Sequence, residues 1–199
     1  MTEQGRRVSI LGVPSSAGSH NPGQEKAPAA WRAAGLVDGL RQAGLDVEDR
    51  GDLPAAPFRP VAPVDGLRDV ERVVTVALQV AGEVAAIRAD GRLPLVLGGD
   101  CTITLGVLAG FGEAGLVYFD GDSDLTTPER SESAVADTMG MTHMLGGGSP
   151  RLAGLGSLVI TEANPDHDPD GQLIRTLVQV VTGALAGAER LGAPGRPDQ

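Results

Sequence analysis

Asp120, Asp122 and Asp124 close the run G-L-V-Y-F-D-G-D-S-D at residues 115–124, alternating carboxylates directly after an apolar stretch. An extended chain sends alternate side chains to one side, so a strand over 116–119 would gather these carboxylates at its carboxyl end. Like charges that close repel one another unless a proton or a cation intervenes. The spacing fits a cation site where open α/β sheets hold ligands, and it equally fits an acidic loop that alternates by chance. A second polar turn, Gly98-Gly99-Asp100-Cys101, follows the apolar stretch 93–97 and carries the only cysteine of the chain. Carboxylates suit hard cations such as Mn²⁺ or Mg²⁺, whereas ligation by Cys101 would shift preference towards Zn²⁺ or Fe²⁺. As a packing residue, Cys101 would be a small buried side chain at a helix start.

The surrounding segments supply strands and helices in alternation. Residues 8–13 (V-S-I-L-G-V) read as a first strand, stopped by Pro14 and followed by the small-residue loop S-S-A-G-S-H-N-P-G-Q. Pro28 suits the first turn of a helix that carries Trp31, Leu36 and Leu40 to Gly44. A short strand over 46–49 follows. The clearest helical period runs from Leu67 to Ala89, with Leu67, Val70, Val74, Leu78, Ala81 and Ala85 on one face and Gly91 as the stop. Strands are expected at 93–97, 116–119 and 157–161, with helices after Asp100, over 139–145 and through 173–185. This alternation predicts a three-layer α/β/α fold on a parallel sheet of about five strands. Residues 1–191 form a single domain in this reading, with 192–199 a flexible tail.

Composition narrows the function classes. A formal net charge of −10 and a pI near 4.7 disfavour nucleic acid and anionic membranes, since both present negative surfaces. Aromatic residues make up only 3% of the chain, too few for a base-stacking platform. One cysteine allows no intrachain disulfide, and the amino-terminal residues lack the apolar run of a secretion signal, so a cytoplasmic location is expected.

Taken together and in order, five motifs resemble the arginase/agmatinase (ureohydrolase) family. They are V-S-I-L-G-V-P-S-S-A-G with A-P-A-A-W-R-A-A-G-L and D-R-G-D-L-P, the turn Gly98-Gly99-Asp100-Cys101, the run Asp120-Gly121-Asp122-Ser123-Asp124, the segment from Thr127-Pro128 through Ser133 to Leu145, and Thr161-Glu162-Ala163-Asn164-Pro165. The resemblance implies a truncated arginase-like fold and metal-dependent hydrolysis of C–N bonds in linear amidines. It implies Cys101, Asp120, Asp122 and Asp124 as metal ligands, Asp137 for proton transfer, and Ser133 and Glu162 as contacts to a cationic guanidino-type substrate. Mn²⁺ is the implied cofactor.

The departures from the family pattern point to a retuned site. Cys101 and Asp122 stand where the family has ligating histidines, and Asp137 where it has a histidine used in proton transfer. Val135 stands where an asparagine contacts the substrate's amino-acid end, so a substrate other than arginine is expected. The family's S-x-D-x-D-x-x-D motif does not occur in this sequence, and roughly ninety residues with three strands are missing between the segment ending at Leu145 and the last strand. The remaining ligands would then hold one ion rather than two. Removing those strands from the family order 2-1-3-8-7-4-5-6 predicts 2-1-3-5-4 here, with the Asp120 strand an exposed edge open to a homo-oligomer contact.

Other classes compete for the same residues. A ureohydrolase-like scaffold without catalysis would keep the fold and bind at most one metal. A phosphatase of haloacid-dehalogenase type would use Asp120 as nucleophile and Asp122 as acid, but needs a downstream lysine. The only lysine is Lys26, upstream of both.

Overall fold

The computed structural model describes residues 6–112, 116, 118, 120–145, 159–160, 166, 168–172, 174–176, 178–179 and 182. The chain enters through strand β1 (Arg7–Val13), passes a short 3₁₀ turn, and forms helices α1 (Ala27–Ala33) and α2 (Leu36–Gln42) before strand β2 (Asp46–Asp52). Helix α3 (Val70–Ala89), strand β3 (Leu93–Gly98) and helix α4 (Ile103–Phe111) follow. A 3₁₀ turn (Ala136–Met139) leads into helix α5 (Gly140–Met144), and strand β4 (Val159–Ile160) comes later. Residues 172, 174–176, 178–179 and 182 are helical, so the expected carboxyl-terminal helix is present and reaches back to residue 172.

The strands pair in the order β2-β1-β3-β4, every pair parallel. Register places Ile10 of β1 opposite Leu95 of β3, and Val96 of β3 opposite Val159 of β4. Period-2 alternation divides the strand side chains between two cores. Val8, Ile10, Leu95 and Leu97 pack with Trp31, Leu36, Leu40, Ile174 and Val178, whereas Leu11, Val13 and Val96 pack with α3, α4 and α5. A central sheet with helices on both faces is therefore the architecture, as expected.

The last strand lies beside β3, which reproduces the first four positions of the expected order. The fifth is not seen among the described residues: Leu116 and Tyr118 carry no strand assignment, while Val117 and Phe119 lie outside the described set. The expected pairing of this stretch with the last strand, and the tail at 192–199, are likewise not described.

Two helices depart from the sequence reading. The single helix expected from Pro28 to Gly44 is two, broken at Gly35, whose φ of 87° is left-handed. The long helix starts at Val70, because Leu67 and Val64 exchange backbone hydrogen bonds in a turn and Asp69 adopts φ 46°. Its buried face is Val73, Val76, Val80, Val84 and Ile87, so the stripe inferred from Leu67, Val70, Val74 and Leu78 was rotated. Leu78 is 68% exposed. Helix α4 fixes the true face: a Cβ on Gly106 would lie 2.3 Å from the Ala77 carbonyl oxygen and 2.8 Å from Val80 Cβ. Glycine is what allows these helices to approach so closely. Arg88, near the end of α3, then donates to the carbonyls of Gly110 and Phe111 and lies 4.7 Å over the Phe111 ring. It thereby serves the unsatisfied carbonyls at the end of α4.

Strand β2 is an edge of the described sheet, and charge covers it. Arg32 pairs with both Asp49 and Asp52, while Arg92, only 9% exposed, reaches Asp46 and Glu48. Such a strand is a poor template for pairing with another chain.

Candidate active site

The carboxyl ends of β1 and β3 lie side by side, and the turns that leave them are interlocked. Gly99 donates to the Val13 carbonyl at 3.2 Å and Asp100 to the Ser15 carbonyl at 3.0 Å. A Cβ at Gly99 would fall 1.8 Å from the Ser15 oxygen, so no other residue type fits without moving the backbone. The Asp100 side chain is fully buried and accepts from Ser15 Oγ (2.9 Å), Gly18 N–H (3.3 Å), Thr102 N–H (3.1 Å) and the Thr102 hydroxyl. One carboxylate thus serves donors from both turns, which is how a buried charged group is accommodated. Ser16 and Glu25 hold the other end of the first loop: Ser16 Oγ donates to the Glu25 carboxylate and accepts from the Glu25 N–H at 2.9 Å.

Cys101 follows directly, 3% exposed, with its thiol donating to the Asp137 carbonyl at 3.1 Å. Its Sγ lies 3.8 Å from Asp124 Oδ2. Asp124 is 6% exposed, and the same oxygen accepts the Tyr118 hydroxyl at 2.5 Å. Its backbone is held as well: φ is 49°, and the carbonyl accepts from Thr142 N–H at 3.2 Å. Burial raises the Asp124 carboxyl above its ordinary range; the Tyr118 hydrogen bond opposes the rise, and the negative charges of Asp120 and Asp122 add to it. Burial likewise raises the Tyr118 phenol, with negative charge at Cys101 and the bond to Asp124 reinforcing the effect.

Cys101 and Asp124 are thus the two proposed ligands that the structure brings together. A thiolate and a carboxylate bound tetrahedrally to one zinc-sized ion would span about 3.6 Å, close to the 3.8 Å between Sγ and Oδ2. The same separation is that of an S–H···O contact, and these two side chains alone offer two donors where a divalent cation takes four or more. Asp120 and Asp122 are exposed and engaged locally: Asp120 Oδ1 accepts from Asp122 N–H at 3.0 Å, and Asp122 Oδ1 from Ser123 N–H at 2.6 Å. Among the described residues, no group of three or more His, Cys, Asp or Glu side chains is placed to hold a metal ion. The alternation that would have joined Asp120, Asp122 and Asp124 on one face requires extended backbone, and the left-handed conformation at Asp124 turns that residue inward instead.

Of the remaining candidates, Asp137 adjoins this pair through its carbonyl. Asp137 is partly buried in the 3₁₀ turn, with its N–H donating to the Gly18 carbonyl at 3.2 Å, so it ties the first loop to Cys101. Ser133 Oγ lies 3.2 Å from Ser131 Oγ, and the next residue, Ala134, has φ 54°. Val135 is fully buried. Glu162 lies outside the described residues. His143 is fully buried in α5, and burial lowers its pKa, favouring the neutral ring. The residue that sequence reasoning missed is Tyr118. It is the only tyrosine of the chain and stands in the apolar run two residues before Asp120, and that isolated hydroxyl was the available signal.

Comparison with known proteins gives a consistent result. A model described as "Arginase family" matches residues 6–183. An arginase of Staphylococcus aureus is 34% identical over 164 residues, covering 79% of this chain and 54% of that protein. Human Arginase-1 is 34% identical over 132 residues, covering 64% of this chain and 41% of that protein. Among solved structures, Bacillus caldovelox arginase superposes with a TM-score of 0.65 at 27% identity, covering 92% of this chain and 72% of that one. The chain spans about half the length of the curated relatives it matches.

Proposed function

Because the chain belongs to the arginase family, we propose that it is a metal-dependent hydrolase of C–N bonds in linear amidines, acting on a cationic guanidino compound through a reduced, single-ion site. The observation that carries this reading is the buried Cys101 and Asp124 pair, 3.8 Å apart at the carboxyl end of β3 within the matched segment. When bound, a divalent cation supplies Lewis acidity for the activation of water. Cys101 and Asp124 would hold it, and Asp120 and Asp122, exposed and bonded to amides of the adjoining loop, would have to turn to join them. Manganese suits the carboxylates, and zinc or ferrous iron suits the thiolate.

The other residues bind, orient and carry protons. The net charge of −10 favours a cationic substrate, and Glu162 is the carboxylate assigned to the guanidinium. Ser133 orients the far end of the substrate. The buried, apolar Val135 gives a substrate carboxylate no hydrogen bond, which favours a guanidino compound other than arginine. Asp137, whose backbone carbonyl accepts the Cys101 thiol, is assigned to proton transfer. A cytoplasmic, homo-oligomeric protein is part of the same proposal.

One observation favours a second reading, a metal-binding scaffold without catalysis: Asp120 and Asp122 are spent on amides of their own loop. Loading the protein with Mn²⁺ or Zn²⁺ and measuring urea release from a panel of guanidino compounds separates the two. Urea release that is lost in Asp124→Ala supports the hydrolase. A folded protein that releases no urea with either metal overturns it.

A further inference from the structure

The connection between β2 and α3 has no part in the chemistry above, yet its sequence is regular. In L-P-A-A-P-F-R-P-V-A-P-V, residues 53–64, proline recurs at every third position, as Pro54, Pro57, Pro60 and Pro63. A polyproline II helix has three residues per turn, so this spacing aligns the four rings along one edge. Proline fixes φ near the polyproline II value, and the residue before each ring is steered to extended backbone. Residues 57–63 accordingly carry neither helix nor strand.

The segment is pinned at points rather than packed along its length. Ala56, 4% exposed, donates to the Pro14 carbonyl at 2.9 Å and accepts from Ser16 N–H at 2.8 Å. Arg72 donates to the Pro57 carbonyl at 2.5 Å, and Val64 N–H to the Leu67 carbonyl at 2.8 Å. With Ala56 turned inward, two apolar edges face outward. The proline edge is exposed throughout, and on the edge formed by Ala55, Phe58, Val61 and Val64 only Phe58 is half-buried. Val61 N–H donates to the Arg59 carbonyl at 2.9 Å, a bend at Pro60 that leaves 54–60 as the straight stretch. Arg59, near its end, is exposed and makes no ion pair among the described residues, in a chain of net charge −10.

An apolar surface held in water by a stiff backbone loses little freedom on binding. We propose that residues 54–63 are a docking ligand for a partner protein with an aromatic-lined groove that reads polyproline II segments, the two apolar edges entering the groove and Arg59 meeting a carboxylate at its rim. Aromatic residues make up only 3% of this chain, so a second copy supplies no such groove.

The probe is an isotope-labelled SH3 domain that takes arginine-bearing P-x-x-P ligands, titrated with the full chain and followed by NMR. Shifts confined to the probe's groove aromatics and acidic rim are expected. They should vanish in Pro57→Ala combined with Pro60→Ala, and Arg59→Glu should bind about tenfold more weakly, because it sets like charge against the rim. Displacement of the wild type by a short polyproline peptide tests the same contact without any variant. Absence of shifts with the wild type, shifts that persist in the double variant, or failure of the peptide to displace the chain overturns the proposal. A concentration-dependent dimer in sedimentation that is lost in Val64→Ser also overturns it, since the patch would then be a contact between copies. None of these readouts involves the ion site.

Discussion

Asp100 and Cys101 are neighbours in the chain with different tasks. Asp100 accepts hydrogen bonds from Ser15, Gly18 and Thr102 in a fully buried position, so its role is to join the turns after β1 and β3. Replacing it with alanine leaves several buried donors without an acceptor, and Asp100→Ala is expected to cost about 3 kcal/mol in a denaturant titration. Cys101→Ser removes no comparable network. It should shift the midpoint by less than Asp100→Ala does while changing metal preference away from zinc, measured by competition between Zn²⁺ and Mn²⁺. The tie at Asp100 also explains why the G-G-D sequence was informative: its glycine and its carboxylate are both demanded by backbone approach, and neither depends on what the site later binds.

At the scale of elements, the contact of α3 with α4 separates what periodicity gives from what packing decides. Both Leu78 and Val80 are apolar, but Leu78 is 68% exposed and Val80 fully buried against Gly106. Val80→Ala should cost about 2 kcal/mol, and Leu78→Ala about 0.5 kcal/mol or less, by urea denaturation. The helix was legible in the sequence, and its buried face was not, because in a run as rich in valine and alanine as 70–89 several faces qualify and the glycines of α4 choose among them. Strand positions were legible for a simpler reason. β1 and β3 are short apolar runs that end in proline or glycine turns, and period-2 alternation between two cores follows once both faces are covered. The stretch before Asp120 has the same apolar character, but Leu116 and Tyr118 lie outside any strand, and Tyr118 spends its hydroxyl on Asp124.

The β2 edge carries a pH prediction. The Arg32 guanidinium is the main cause that holds the Asp49 carboxyl below its ordinary value of 3.8; burial opposes this, and the Gly51 N–H assists. A carboxyl depressed in the folded state binds protons more tightly when unfolded, so it contributes stability above the unfolded value. That contribution is lost as pH falls from about 4 through the folded value. Thermal midpoints should therefore decline below about pH 4, and less steeply in Asp49→Asn than in the wild type.

Across the whole molecule, the chain matches the arginase family over residues 6–183, and the described order β2-β1-β3-β4 has the last strand beside β3, the place expected from the sequence. The candidate site was legible in residue type but only partly in geometry. Cys101 and Asp124 meet, whereas Asp120 and Asp122 face solvent, because convergence of alternate residues needs extended backbone and the chain turns at Asp124. The proposed function rests on the buried Cys101 and Asp124 pair as ligands of one ion. Equilibrium dialysis against Zn²⁺ and Mn²⁺, followed by elemental analysis, tests this most directly. The predicted result is one ion per chain in the wild type and none in Cys101→Ser combined with Asp124→Asn. Two ions per chain, or occupancy unchanged in that double variant, would contradict it.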